Sequence, residues 1–222
     1  YKFWACKSSP GQEIRKIHTG IPALIVDVLT GITLADIKVE VEKSGADQEL
    51  WEAIEKDNKF RKMLEKAVKE TLYIGDGAFK ISFDTSLSQY PILEYYPGER
   101  IEPVTDRGRL KEIVFKTSYI HEKREYVLYE HYGKGYVTYE LYKGSAQVKL
   151  DAIPQTAGLV DVAFGSEKPE EKYMMAVPLQ FYGSGKWEGR GQSIFDRKVD
   201  NFDALDEVWS QWMDAVRTGR SK

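Results

Sequence analysis

Four carboxylates near the end of the chain, Asp196, Asp200, Asp203 and Glu207, are spaced four, three and four residues apart. On a helix that spacing puts them on one face. Such a row could hold Mg²⁺ against a phosphate oxygen, as metal-dependent nucleases and phosphotransferases do. Two considerations count against it: Mg²⁺ sites usually draw ligands from several elements, and an acidic stripe opposite an apolar one is the ordinary wet back of a surface helix. A second candidate is the pair of tyrosine-rich runs 126–132 and 136–142, which nearly repeat each other around Gly133-Lys134-Gly135. Tyrosines at that density could stack single-stranded nucleic acid or sugar rings, although Tyr is also a favoured strand residue whose cross-strand pairs stabilise sheets. No Arg or Lys is interleaved at each step to meet a phosphate backbone.

The remaining chemistry-bearing residues do not assemble into a motif. Gly185-Lys186 lacks the Ser or Thr that a phosphate loop places after its Lys, because Trp187 follows, so the glycine-rich stretch 183–191 reads as a flexible connector. Cys6 has only Lys7 beside it as a cation, which does not mark a nucleophile. His18, His121 and His131 have no metal-ligand spacing with one another or with Cys6. No catalytic, metal or cofactor residue is assigned, and the expectation is a structural or assembly protein rather than an enzyme.

The elements that would carry these residues are legible in outline. Residues 193–217 alternate so that Ile194, Phe195, Val199, Phe202, Leu205, Val208, Trp209, Trp212, Met213 and Val216 cover about half a helical wheel. Asp196, Asp200, Asp203, Glu207 and Asp214 lie opposite. Ser193 suits a cap, and Gly219 with Arg217 suits a stop, giving a rod of about 35–40 Å. Near the start, Ser9-Pro10-Gly11-Gln12 reads as a helix start. Apolar residues recur from Ile14 to Val28 toward Gly31, with Pro22 predicting a kink or a division near Thr19-Gly20. Ile37–Glu42 alternates as a strand. Asp47–Tyr73 reads as a helical unit broken at Asp57-Asn58 and ended by Gly75-Asp76-Gly77. The middle is β-rich, with strands expected at 78–83, 92–95, 110–115, 126–132, 136–142 and 146–150 in an antiparallel meander, and one more within 174–182. Helices, sheet and long helix in that order predict an α+β fold.

A chain of 222 residues can bury a core without disulfides or a metal. The single Cys6 excludes an internal disulfide framework. No apolar run reaches the roughly 18 residues of a membrane span, and the N-terminus lacks a signal-peptide pattern; without a starting Met it reads as an internal fragment. With 32 Lys+Arg against 35 Asp+Glu and no long basic run, the chain is not built to wrap nucleic acid by neutralising phosphates.

Several strings, in their order along the chain, resemble the portal proteins of tailed double-stranded-DNA bacteriophages. Residues 17–31 (IHTGIPALIVDVLTG) resemble an early helix of the portal wing. The stretch from Phe60 to Ser82, with Tyr73-Ile74-Gly75-Asp76-Gly77-Ala78, is similar to the wing helix that runs into its first sheet. Gly191-Gln192-Ser193-Ile194-Phe195-Asp196 and Asn201–Glu207 look like the loop and helix that enter the stem. The resemblance implies a wing-like α+β domain over 1–192 and the start of a stem helix over 193–222, with clip, returning stem helix and crown outside this chain. It further implies a homo-oligomeric ring, usually of twelve copies, at one capsid vertex, with double-stranded DNA passing through it. Terminase, capsid and neck proteins are the implied partners, the virion and host cytoplasm the implied locations, and neither cofactor nor membrane is implied. Within that frame Val199, Phe202, Trp209, Trp212, Met213 and Val216 are the expected contacts between copies, and Asp196, Asp200, Asp203, Glu207 and Asp214 the expected channel-facing acids. The alternatives are a nucleic-acid or glycan binding module using the tyrosine hairpin and a metal-dependent nuclease using the acidic helix.

Overall fold

The computed structural model describes residues 14–35, 37–41, 45–165 and 172–219. Helices and antiparallel sheets combine in an α+β fold. The chain divides into two compact units, Ile37–Ile194 and a second made of Tyr1–Asp36 with Phe195–Lys222. The expected helix start at Ser9-Pro10 lies outside the described residues.

In the larger unit, helices α2 (Gly45–Asp57) and α3 (Phe60–Ile74) are separated where the sequence predicts a break. Asn58 explains the break chemically. Its amide donates to Ile54 O at 3.0 Å and to Pro91 O at 2.9 Å, and its carbonyl accepts from Leu93 N at 2.7 Å. One side chain therefore satisfies a helix-end carbonyl and anchors the strand that follows. Helix α3 buries Ala67, Val68, Thr71 and Leu72, a stripe at helical spacing that packs on the first strands.

The described strands are β1 (Asp76–Ser82), β2 (Ile92–Pro97), β3 (Ile101–Asp106), β4 (Arg109–His121), β5 (Arg124–Gly133), β6 (Tyr136–Lys143), β7 (Ala146–Val148), β8 (Val162–Ala163) and β9 (Ala176–Gln180). They form two sheets rather than one meander. A three-stranded sheet runs β2-β1-β9, and a six-stranded one runs β3-β4-β5-β6-β7 with β8 beside β6. Period-two alternation in β5 turns Tyr126, Leu128, Glu130 and Tyr132 inward. The core cluster draws Ala78 and Ala176 from the smaller sheet and Ile101, Ile113, Phe115, Tyr132 and Val137 from the larger, so apolar faces of both sheets share one core.

A buried ion pair ties the two sheets together. Lys80, only 3% exposed, stands opposite Glu94 in the β1–β2 register and reaches Glu130 of β5, with Nζ 2.6 Å from Oε2. Nζ also lies 3.3 Å from Glu94 Oε2 and 4.8 Å from the centre of the Tyr96 ring. Burial alone would lower the Lys80 ammonium, but the Glu130 and Glu94 carboxylates overcome it and hold the group above its ordinary range. Glu130 is pushed the other way from a salt-bridged acid: burial raises it, Lys80 only partly offsets this, and Glu94 adds like-charge repulsion.

The glycine-rich stretch 183–191 is an ordered loop and not a loose connector. Gly183 pairs with Gly191, Ser184 N donates to Arg190 O at 2.9 Å, and Gln192 N donates to Tyr182 O at 2.8 Å. Arg190 locks it to the sheet. Its guanidinium forks onto Asp76, with Nε 2.7 Å from Oδ2 and Nη2 3.0 Å from Oδ1, and it donates to Gly98 O at 2.8 Å and Ile101 O at 3.0 Å. Gly191 N adds a bond to Asp76 Oδ2 at 2.9 Å. Glycine is required at 98 because a Cβ there would collide with Asp76 Oδ1, and at 75 because its φ of +121° and the backbone of Gln192 and Ser193 leave no room for a side chain.

In the second unit, α1 (Ile21–Ala35) and α4 (Val199–Gly219) differ from expectation at their starts. Residues 14–20 are not helical, and Pro22 sits in the first turn of α1, where its missing N–H costs nothing. Helix α4 begins six residues after Ser193, because 194–198 form turns with Arg197 at a φ of +59°. At 21 residues it is about 31 Å long. The strand expected from Ile37 is absent over the described residues 37–41; an alternating run forms a strand only where a partner strand takes its hydrogen bonds. Strands β3 and β8 were not expected at all.

Candidate assembly surface

Helix α4 holds the segment before α1 through polar groups. Asp206, 8% exposed, accepts from Thr19 N at 2.9 Å and Thr19 Oγ1 at 2.7 Å through Oδ1, and its Oδ2 lies 2.9 Å from His18 Nδ1. One turn on, Ser210 Oγ accepts from Ile17 N at 2.9 Å and donates to Asp206 O at 2.7 Å. The contact line of α4 thus runs along the border between its two stripes. Phe202, Asp203, Glu207, Met213, Asp214 and Val216 are half-buried around it.

The outer apolar arc is left uncovered within the unit. Val199, Leu205, Val208, Trp209 and Trp212 are exposed, Trp212 by 55% and Val208 by 62%, and the two indoles lie 5.1 Å apart centre to centre. In the same unit α1 buries Val26 and Thr30 but exposes Leu24, Val28, Leu29 and Ile32. Exposed apolar groups in such number on two helices are more than ordinary scatter.

The acidic residues do not share one environment. Asp196 lies in the turns before α4 and is exposed, as is Asp200, whereas Asp203, Glu207 and Asp214 are half-buried. The four-residue row spaced for a metal is therefore not all on one helix, and among the described residues no group of three His, Cys, Asp or Glu converges to hold an ion. The tyrosines divide by strand alternation: Tyr126, Tyr132 and Tyr139 turn inward, while Tyr129 and Tyr142 form an edge-to-face pair 5.2 Å apart on the other face with Lys116 Nζ 5.5 Å from the Tyr129 ring. Among the described residues no helix is long and apolar enough to cross a membrane.

The Asp206 carboxylate makes three hydrogen bonds to described residues, and the sequence signal for it is slight: an Asp–Ser pair at i, i+4 on the flank of an apolar arc. Burial is the strongest single influence on its carboxyl and pushes it up, but the bonds from Thr19 and His18 together hold it below its ordinary range. A depressed folded value means that the stabilisation is present above the unfolded value of about 3.9 and is lost as pH falls through the folded one. Amide exchange at Thr19 is expected to stay protected from neutral pH to about 4 and to accelerate below it. In Asp206→Ala the protection should be gone at every pH, at a cost of about 1–3 kcal/mol to the unit.

Compared with known proteins, the chain matches no family model and no curated protein.

Proposed function

We propose that the chain is a structural assembly subunit, the wing and the start of the stem of a bacteriophage portal ring through which double-stranded DNA enters and leaves the capsid. The observation that carries this reading is the placement of α4: its polar border makes the contacts within the chain, and its tryptophan-bearing arc is left for something else. A second copy is the simplest partner, because a ring seats this face of each copy against a different face of its neighbour, so that the same residues are buried at every interface. Val199, Trp209 and Trp212 are the residues most available to make that contact, flanked by Phe202, Met213 and Val216. Asp196 and Asp200, exposed and outside the contact line, are the acids that would face passing DNA, where like charge keeps phosphates from adhering. Terminase and neck proteins would dock on parts of the ring beyond these helices.

Native mass measurement and electron microscopy of the full-length protein test the reading. The expected result is closed rings of fixed copy number with a channel wide enough for duplex DNA, reduced to monomers by Trp209→Glu with Trp212→Glu. Monomers at every concentration, or open-ended and two-copy assemblies that the double substitution leaves unchanged, would overturn it.

A further inference from the structure

Between the two sheets of the larger unit lies a cavity of 460 Å³, within the size range of small-molecule sites. Its walls come from β1, β2, β4, β5 and β6, with Leu159, Val162 and Met175 adding apolar surface. Its polar lining is unbalanced. Three carboxylates, Asp84, Glu94 and Glu130, line it against one ammonium, Lys80.

The buried members of that lining have bonding capacity to spare. Glu130 is 7% exposed; its Oε2 is taken by Lys80, and its Oε1 accepts from no described residue. Tyr132 is 2% exposed, and its hydroxyl bonds to no described residue. The hydroxyls of Tyr119 and Tyr139, which also line the cavity, are likewise without a hydrogen-bond partner among the described residues. Glu130 and Tyr132 are buried side chains and Tyr119 and Tyr139 half-buried ones, and open oxygens on buried side chains favour an occupant that supplies donors.

We propose that this inter-sheet cavity binds a small organic ammonium with an apolar body, its charged head on Glu130 Oε1 and the Tyr132 and Tyr139 oxygens and its body against Leu159, Val162 and Met175. Charge selects the class. An anionic head meets three carboxylates, and a neutral hydroxyl answers only one or two of the open acceptors, whereas an –NH₃⁺ brings three donors and the missing charge. Tyrosine rings add cation–π attraction, as Tyr96 already does for Lys80. The raised carboxyl of Glu130, where burial outweighs its single lysine, is consistent with room for a second cation. This site is independent of the assembly reading, because all of it lies in the 37–194 unit.

The test is calorimetric titration of the whole chain with 2-phenylethylammonium, with 2-phenylethanol as the neutral isostere and phenylacetate as the anion. Saturable one-site binding of the ammonium is expected, with the alcohol about tenfold or more weaker and phenylacetate not bound. Tyr132→Phe and Tyr139→Phe remove hydroxyls that bond to no described residue, so both variants should fold as the parent does, yet each should weaken the ammonium several-fold. Glu130→Gln should abolish binding; because it also disturbs Lys80, the tyrosine variants carry the decision if it fails to fold. No saturable binding, equal affinity for the alcohol, or unchanged affinity in both tyrosine variants would overturn the proposal.

Discussion

Lys80→Met should cost about 3–5 kcal/mol of stability, because it leaves Glu130 charged, buried and without its cation. For a chain of this size that lowers the unfolding midpoint by about 10 °C. Glu130→Leu should cost a similar amount for the mirrored reason, although Glu94 at 3.3 Å still partners the lysine and keeps the loss toward the lower end. The combined Lys80→Met/Glu130→Leu protein should recover most of the loss, since two apolar side chains of similar volume avoid the desolvation cost of both charges. A double-mutant cycle by denaturant unfolding checks this. Additive losses would mean that the bridge contributes no coupling and that packing of the long side chains dominates.

Arg190→Ala should be comparably damaging, by about 3–5 kcal/mol. The guanidinium satisfies Asp76 and two backbone carbonyls at once, and Asp76 is only 4% exposed. Without it the carboxylate keeps one bond, from Gly191 N. Arg190→Lys retains the charge but not the planar fork, so it should recover part of the loss and not all of it. Gly98→Ala should imitate the deletion by pressing a methyl group into Asp76 Oδ1. Amide exchange at Ser184 and Gln192, whose bonds close the 183–191 loop, is the local measurement. Unaltered protection there in Arg190→Ala would show that the loop does not depend on the clamp.

What was legible in advance follows the range of the interactions involved. The β5–β6 hairpin announces itself through period-two alternation on either side of Gly133-Lys134-Gly135, all within a few residues. The α2–α3 break shows in Asp57-Asn58 for the same reason. The pairing of β1 with β9 joins residues about a hundred positions apart and leaves no local trace, so two sheets were read as one meander. Strand β3 was missed because Glu102, Pro103 and Asp106 mask its alternation; Pro103 is tolerated at this edge of the larger sheet. Lys80 in a strand reads as a wet position, and only the approach of Glu130 from the other sheet makes it an interior one. The late start of α4 depends on Arg197 at positive φ, a conformation for which an arginine gives no warning. At the candidate surface the apolar arc was visible and the role of Asp206 was not, since its partners lie nearly the whole chain away.

That last distance sets a timetable. Thr19 and Asp206 are 187 positions apart, and Ile17 and Ser210 are 193 apart. A ribosome adding about 5–20 residues per second needs roughly 10–40 s to make the second after the first. Strands β1 to β7 of the 37–194 unit are made by residue 148 and are free to begin pairing before then, with β9 following at 176–180. Helix α1, with Leu24, Val28, Leu29 and Ile32 uncovered, must wait through that interval for the polar groups of α4 to fix the segment before it. A nascent chain is therefore sticky at α1 through that interval, and a co-translational chaperone has a long window there.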